Sequence, residues 1–273
     1  MKRLILTAPV DVQGPNLFNQ TSHLRLEPVD KPGWYWQVDG IDVPIGPEVA
    51  DRRMRRLRLV SGRRVLESPE HIIALREMGL DAVRVIASRR WPPHDGSAAT
   101  LFGAVVPKLA SEGTLRNVRI KNSIRCDTAD NQQLSELLPS PTDYLKVDVR
   151  IDYAGVGAWA LQKRFRGGLD EEVCRAQTIS ILPTPLWWIL KHLPSSIWPH
   201  YHRTFWNRDP RPPRMLQQIA LHRVLDILGA AALMHPAGTA LVGTLVSRCG
   251  GHTTDMGLVE MIKVGGTKLI DAT

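Results

Sequence analysis

Ser68-Pro69-Glu70-His71-Ile72-Ile73-Ala74-Leu75-Arg76-Glu77-Met78-Gly79-Leu80-Asp81-Ala82-Val83-Arg84-Val85-Ile86 holds one complete helix and the strand after it. Ser68 can cap the helix. Pro69 suits its first position, where a backbone N–H would lack a partner anyway, and Glu70 favours the positive end of the dipole. Ile72, Leu75 and Met78 recur at helical spacing, and Gly79 closes the helix. Val83, Val85 and Ile86 then read as a strand. Upstream, residues 17–66 read as strands: Leu24 and Leu26, then Trp34, Tyr35, Trp36 and Val38. The turn formers Asp30-Lys31-Pro32-Gly33 and Asp39-Gly40 separate them. Downstream, a loop over Trp91–Ser97 precedes a second helix expected near Ala99–Ser111.

The same order recurs in the second half. Val118, Ile120 and Ile124 alternate with polar residues, Asp127–Asp143 reads as a turn-rich connector, and Leu145–Ile151 alternates perfectly, as a strand with one wet face does. Arg214–Leu233 reads as a long helix with Leu216, Ile219, Val224, Ile227 and Leu228 on its buried side. His235-Pro236-Ala237-Gly238 ends it. Leu241–Leu245 is a strand, Gly250-Gly251-His252 a tight turn and Met256–Ile262 a last helix. The expected fold is therefore α+β, as two similar domains over residues 1–114 and 115–273. A Trp/Pro-rich insertion at about 183–213 interrupts the second; it carries seven prolines and four tryptophans.

Composition narrows the class. The chain has 273 residues, 43% of them apolar, enough for a sizeable core. Three cysteines, Cys126, Cys174 and Cys249, give neither a disulfide framework nor metal-knuckle spacing, which favours a reducing compartment. The opening apolar run, Leu4-Ile5-Leu6, is too short for a signal peptide, and the longest apolar stretch, Val224–Val246, is interrupted by Asp226, His235 and Pro236. A cytoplasmic protein is expected. Thirty-five Lys and Arg against 27 Asp and Glu leave a net charge of +8. Arginines crowd into residues 52–58 and recur at Arg63-Arg64 and Arg89-Arg90. They alternate with Leu57, Leu59 and Val65, as a strand with one solvated face would, and no nucleic-acid-binding signature accompanies them. No nucleic acid is expected as a partner, and the chain is expected to be a monomer.

Three features carry chemistry. Glu70-His71 opens a helix; alone, such a pair is more often a capping detail. His222 and Asp226 lie four residues apart on one helical face, so both can reach one metal ion or simply pair with each other. His252 stands in a glycine-flanked turn just ahead of a helix, where a histidine is commonly only polar surface. Together, His71, His222 and Asp226 make a three-ligand set that leaves a fourth zinc position for water. Glu70, beside a ligand, can take a proton from that water, and His252 can give one to a departing amine.

These fragments, in order, resemble the zinc-dependent UDP-3-O-acyl-N-acetylglucosamine deacetylases of lipid A biosynthesis. Ser68–Leu75 with Met78-Gly79-Leu80-Asp81 is similar to that family's Val-Glu-His helix and its ending. Pro93–Ala98 resembles its Met-Asp-Gly-Ser-Ala loop, Arg119-Ile120-Lys121 the opening of its second domain, and Arg175–Thr178 its Ala-Arg-Thr-Phe segment. His222–Gly229 is similar to its His-Lys-x-x-Asp-x-x-Gly helix and Gly251-His252 to its Gly-His turn. The resemblance implies that His71, His222 and Asp226 hold Zn2+, although two imidazoles and a carboxylate also accept Fe2+. It implies Glu70 as general base, His252 as proton donor, Thr178 as a group polarising the acetamide carbonyl, Asp95 at the site's rim and Arg223 on the substrate. The implied fold has two similar domains, each a β-sheet layer with a helix pair, the helices sandwiched between the sheets. The implied substrate is an acylated amino sugar on a UDP or lipid carrier. A related amidase on another N-acyl sugar and a metal-bearing binding protein of little activity are the alternatives.

Several positions depart from that pattern. Ala230 stands where the family has an aspartate supporting its catalytic histidine, so His252 is expected to be a weaker acid–base group than in that family, unless Asp255 replaces the missing support. Gln177 and Asn131 replace basic residues. The insertion carries Trp187, Trp188, Trp198 and Trp206 in place of a small βαβ unit. Tryptophans flanked by Lys191, Arg203 and Arg208 suit a membrane interface, so the segment is expected to recognise a lipid chain or to make peripheral membrane contact through Trp187, Trp188 and Trp198 at the inner face of the membrane; the alternative is a Trp-rich cap over the second domain's core. The other histidines, His94 among them, read as polar surface.

Overall fold

Alternating buried and exposed side chains build two five-stranded sheets with one wiring. The computed structural model describes residues 1–16, 18, 20–53, 56–94, 96–130, 132–153, 157–182, 203–206, 213–265 and 268–272. The first sheet holds Val10–Pro15 (β1), Thr21–Pro28 (β2), Trp34–Val38 (β3), Ile41–Pro44 (β4) and Val83–Ala87 (β5), ordered β1-β2-β5-β3-β4. The second holds Ile124–Asp127 (β6), Leu134–Leu138 (β7), Leu145–Tyr153 (β8), Gly157–Phe165 (β9) and Gly243–Arg248 (β10), ordered β6-β7-β10-β8-β9. In each sheet the last strand enters the middle, antiparallel to the second and parallel to the third.

A parallel neighbour demands a crossover connection, and helices occupy it. Glu70–Glu77 (α1) precedes β5, and Ala99–Val105 (α2) follows it. In the second half Glu171–Arg175 (α3) and Pro213–Ala231 (α4) precede β10, and His252–Lys263 (α5) follows it. The fold is α+β. Among the described residues, α1 and α4 form the most extensive helix–helix contact, while α4 also packs on β8 and β9, α5 on β6 and β7, and α2 on β1. One continuous apolar core, with Leu75, Met78, Val147, Val224 and Leu228 fully buried in it, joins the layers.

Two devices fix α1 against α4. At one end, Gly229 lets the helices touch: a Cβ built on it would stand 2.6 Å from Glu70 Cα and 2.7 Å from Glu70 O. At the other end, the buried Arg76 guanidinium donates to the carbonyls of Ile45, Ala232, His235 and Pro236 at 2.5–3.1 Å. Beside it, His235 Nε2 donates to Glu77 Oε1 at 2.5 Å. Gly79 ends α1 at φ 101°, a conformation that disfavours any side chain.

The arginine-rich segment forms a three-stranded meander. Ala50–Arg53, Arg56–Ser61 and Arg64–Glu67 pair antiparallel, with Leu57, Leu59 and Leu66 buried. Arg58 bonds Asp51, and Arg64 bonds Asp39 at 2.6 Å.

Several boundaries differ from the sequence reading. Ser68, at φ 46°, makes no cap, and Pro69 takes the N-cap position. The helix expected to reach Ser111 stops at Val105, and Leu109–Thr114 pairs instead with Lys2–Leu6 as an antiparallel strand. The supposed connector 127–143 contains β7, which its buried Ser135 disguised. The last helix begins at His252, four residues earlier than expected. Trp187, Trp188 and Trp198 lie outside the described residues. The strands Ile179–Leu182 and Arg203–Trp206 pair in parallel. Among the described residues, no helix is long and apolar enough to cross a membrane.

Candidate metal centre

The close contact of α1 and α4 brings together two sequence fragments about 150 residues apart. Both Glu70 and His71 are buried in the first turn of α1, and His222 and Asp226 project from one face of α4. His71 Nε2 stands 3.7 Å from Asp226 Oδ1, and His222 Nε2 stands 3.5 Å from the same oxygen. Ligand atoms on a tetrahedral zinc at ~2.1 Å sit about 3.4 Å apart, so both spacings fit one ion. All three ligand atoms lie within 4.8 Å of one another, a group that can hold a metal ion.

Orientation and protonation favour the same use. His222 Nδ1 is 3.1 Å from the Ala176 carbonyl, which can only accept. The proton therefore sits on Nδ1 and the Nε2 lone pair faces Asp226, the usual arrangement behind a metal-binding imidazole. Burial lowers the His222 pKa to about 4, keeping the ring neutral. Burial alone would raise the Asp226 pKa, yet His222, His71 and His252 together hold it below the ordinary carboxylate range. A neutral imidazole beside a carboxylate anion is the state a divalent ion requires.

His252, at the start of α5, completes the cluster from the second half of the chain. Its Nε2 lies 3.6 Å from Glu70 Oε1, and Glu70, Asp226 and His252 form a second convergent group. Burial raises the Glu70 pKa, against the pull of His252 and His71. Three polar atoms here, Glu70 Oε2, His252 Nδ1 and Thr178 Oγ1, are buried without a hydrogen-bond partner. Each orphan costs about 1–3 kcal/mol unless a ligand meets it, so the donor set fits an ion and a polar substrate. Thr178 stands two residues beyond Ala176, and its N–H donates to Gly96 O, tying it to the loop of Asp95. Asp95 and Asn131 lie outside the described residues.

Two expectations are overturned. Arg223 does not face the substrate side: it is 5% exposed, and its Nε donates to Ser247 Oγ at 3.0 Å while its guanidinium grips both Asp255 oxygens. Asp255, completely buried, therefore does not support His252; it also accepts from Ser135 Oγ at 2.7 Å. The buried methyl of Ala230 cannot bond His252 either. Sequence reasoning failed here because nothing in the sequence pairs an arginine with an aspartate 32 residues away.

His94, read as surface, was missed. Its ring lies 4.8 Å from the His71 ring at 31°. Its place in the Pro-His-Asp-Gly-Ser loop was the available signal. Compared with known proteins, the chain matches no protein-family model and no curated protein.

Proposed function

We propose that the chain is a metal-dependent amidohydrolase that deacetylates an N-acetylated amino sugar. The substrate to test first is UDP-3-O-acyl-N-acetylglucosamine, that of the family its motifs resemble. The observation that carries this reading is the convergence of Glu70, His71, His222, Asp226 and His252 from three helices.

His71, His222 and Asp226 would hold the ion, zinc or ferrous iron by their chemistry. When bound, the ion supplies Lewis acidity, acidifying a water and polarising the amide carbonyl. Glu70 accepts the proton of the attacking water; its burial raises its proton affinity toward the range a general base needs. His252, across from Glu70, delivers a proton to the amine as the C–N bond breaks. Thr178 Oγ1, with no other partner, donates to the oxyanion. Membrane contact through Trp187, Trp188 and Trp198 fits a lipid-bearing substrate and belongs to this proposal.

Metal analysis of the purified protein, paired with acetate release from the UDP-sugar, tests it. Bound metal with acetate release supports the reading. Metal without acetate points to another N-acyl sugar or to a binding protein, which Ala230 in place of a supporting carboxylate would favour. Neither metal nor acetate overturns it. Glu70→Ala should abolish hydrolysis with metal content intact; retained activity would remove Glu70 as the base.

A further inference from the structure

Beside the metal centre the first domain holds a cleft of about 120 Å³ between β1, β2, α2 and the start of α1. Val12, Leu24, Ile72, Pro93, Ala98 and Leu101 give it apolar walls, into which His94 and Ser97 also reach. The exposed Gln13, Pro15 and Thr100 mark its contact with solvent. His71 lines it too, so one imidazole belongs both to the proposed ligand set and to the cleft wall. Apolar lining of this kind is poorly solvated by water and gains free energy when an alkyl chain covers it.

We infer that this cleft receives the scissile acyl chain, so that the protein removes longer straight-chain N-acyl groups as well as acetyl. The inference rests on the amidohydrolase reading and widens the scissile group that reading names. The carbonyl carbon under attack must lie beside the ligands, and the alkyl chain it bears begins one bond away. A cleft sharing a wall with His71 is within reach of that first bond. An apolar cavity of about 150 Å³ takes benzene, six carbons. By proportion this one takes a chain of about four or five. Hydrolysis adds water across the C–N bond, leaving the short fatty acid in the cleft and the free amine on the sugar.

The test uses binding of alkyl hydroxamates, whose paired oxygens chelate the metal while the alkyl group takes the acyl side. Calorimetry of the zinc-loaded protein with aceto-, propiono-, butyro-, pentano- and octanohydroxamate should show about fourfold tighter binding per methylene, the transfer of ~0.8 kcal/mol. The gain should level off near five carbons. Two variants fill the cleft, Ala98→Leu from the helix side and Gly14→Val from β1. Valine suits a strand, and a Cβ at Gly14 meets only Pro93, at an ordinary 3.8 Å. Either variant should retain zinc and flatten the chain-length trend by tenfold or more at pentanohydroxamate. Hydroxamates that bind equally at every length, or a trend unchanged in Gly14→Val, would overturn the acyl cleft and leave the metal site standing. A protein that binds neither zinc nor any hydroxamate would sink the amidohydrolase reading, and this inference with it.

Discussion

Gly229→Ala should separate the fold from the site. The added methyl would stand 2.6 Å from both Glu70 Cα and Cβ and 2.7 Å from Glu70 O, all main-chain or rigidly attached atoms. Ordinary carbon contacts need about 3.6 Å, so α1 and α4 must part by about 1 Å. Overpacking of this size costs about 1–3 kcal/mol, and alanine returns about 1 kcal/mol of helix propensity. The net loss is at most about 2 kcal/mol, a fall of a few degrees in Tm for a chain of this length. The metal site tolerates far less. Ligand distances hold within about 0.2 Å, and His71 rides on α1 while His222 and Asp226 ride on α4. A shift of 1 Å exceeds that tolerance fivefold, so zinc affinity should drop by more than the tenfold to hundredfold typical of lost supporting contacts. Zinc retained against a graded chelator, read beside thermal unfolding, is the assay. Gly103→Ala in α2 is the control: its methyl meets nothing within 4 Å, so it should keep zinc and gain up to about 1 kcal/mol. If Gly229→Ala binds zinc like the parent protein, the rigid packing of α1 on α4 does not set the ligand geometry.

Arg223→Met should destabilise the protein by about 3–5 kcal/mol in denaturant melts, because Asp255 is left as a buried unpaired charge. Adding Asp255→Leu should recover much of that loss; no recovery would contradict the pairing. For His235, burial lowers the pKa below its ordinary value, with Glu77 pulling it up and Arg76 pushing it down. The unfolded chain therefore takes up a proton near pH 6.5 that the folded chain refuses. Stability from this group is complete above that pH and declines by up to about 1.4 kcal/mol per unit below it, a slope between pH 7 and 5 that His235→Gln should reduce. Changing Trp187 and Trp188 to Ser should weaken co-sedimentation with anionic liposomes; unchanged sedimentation would end the membrane reading.

The amino-acid order alone determined the local elements and the ingredients of the site. Alternation in Leu145–Ile151 and helical spacing in Ile72, Leu75 and Met78 follow from backbone geometry, which any short segment carries within itself. His222 and Asp226 share a face for the same reason. Tertiary structure decided which charges are solvent and which are core: Arg223 and Asp255 look like surface residues until two helices and two strands close around them. It decided that β7 is a strand, since Ser135 is buried only because Asp255 and Thr254 await it. It also decided that His71 meets His222, because that distance depends on a glycine 158 residues away from His71 letting one helix rest on another.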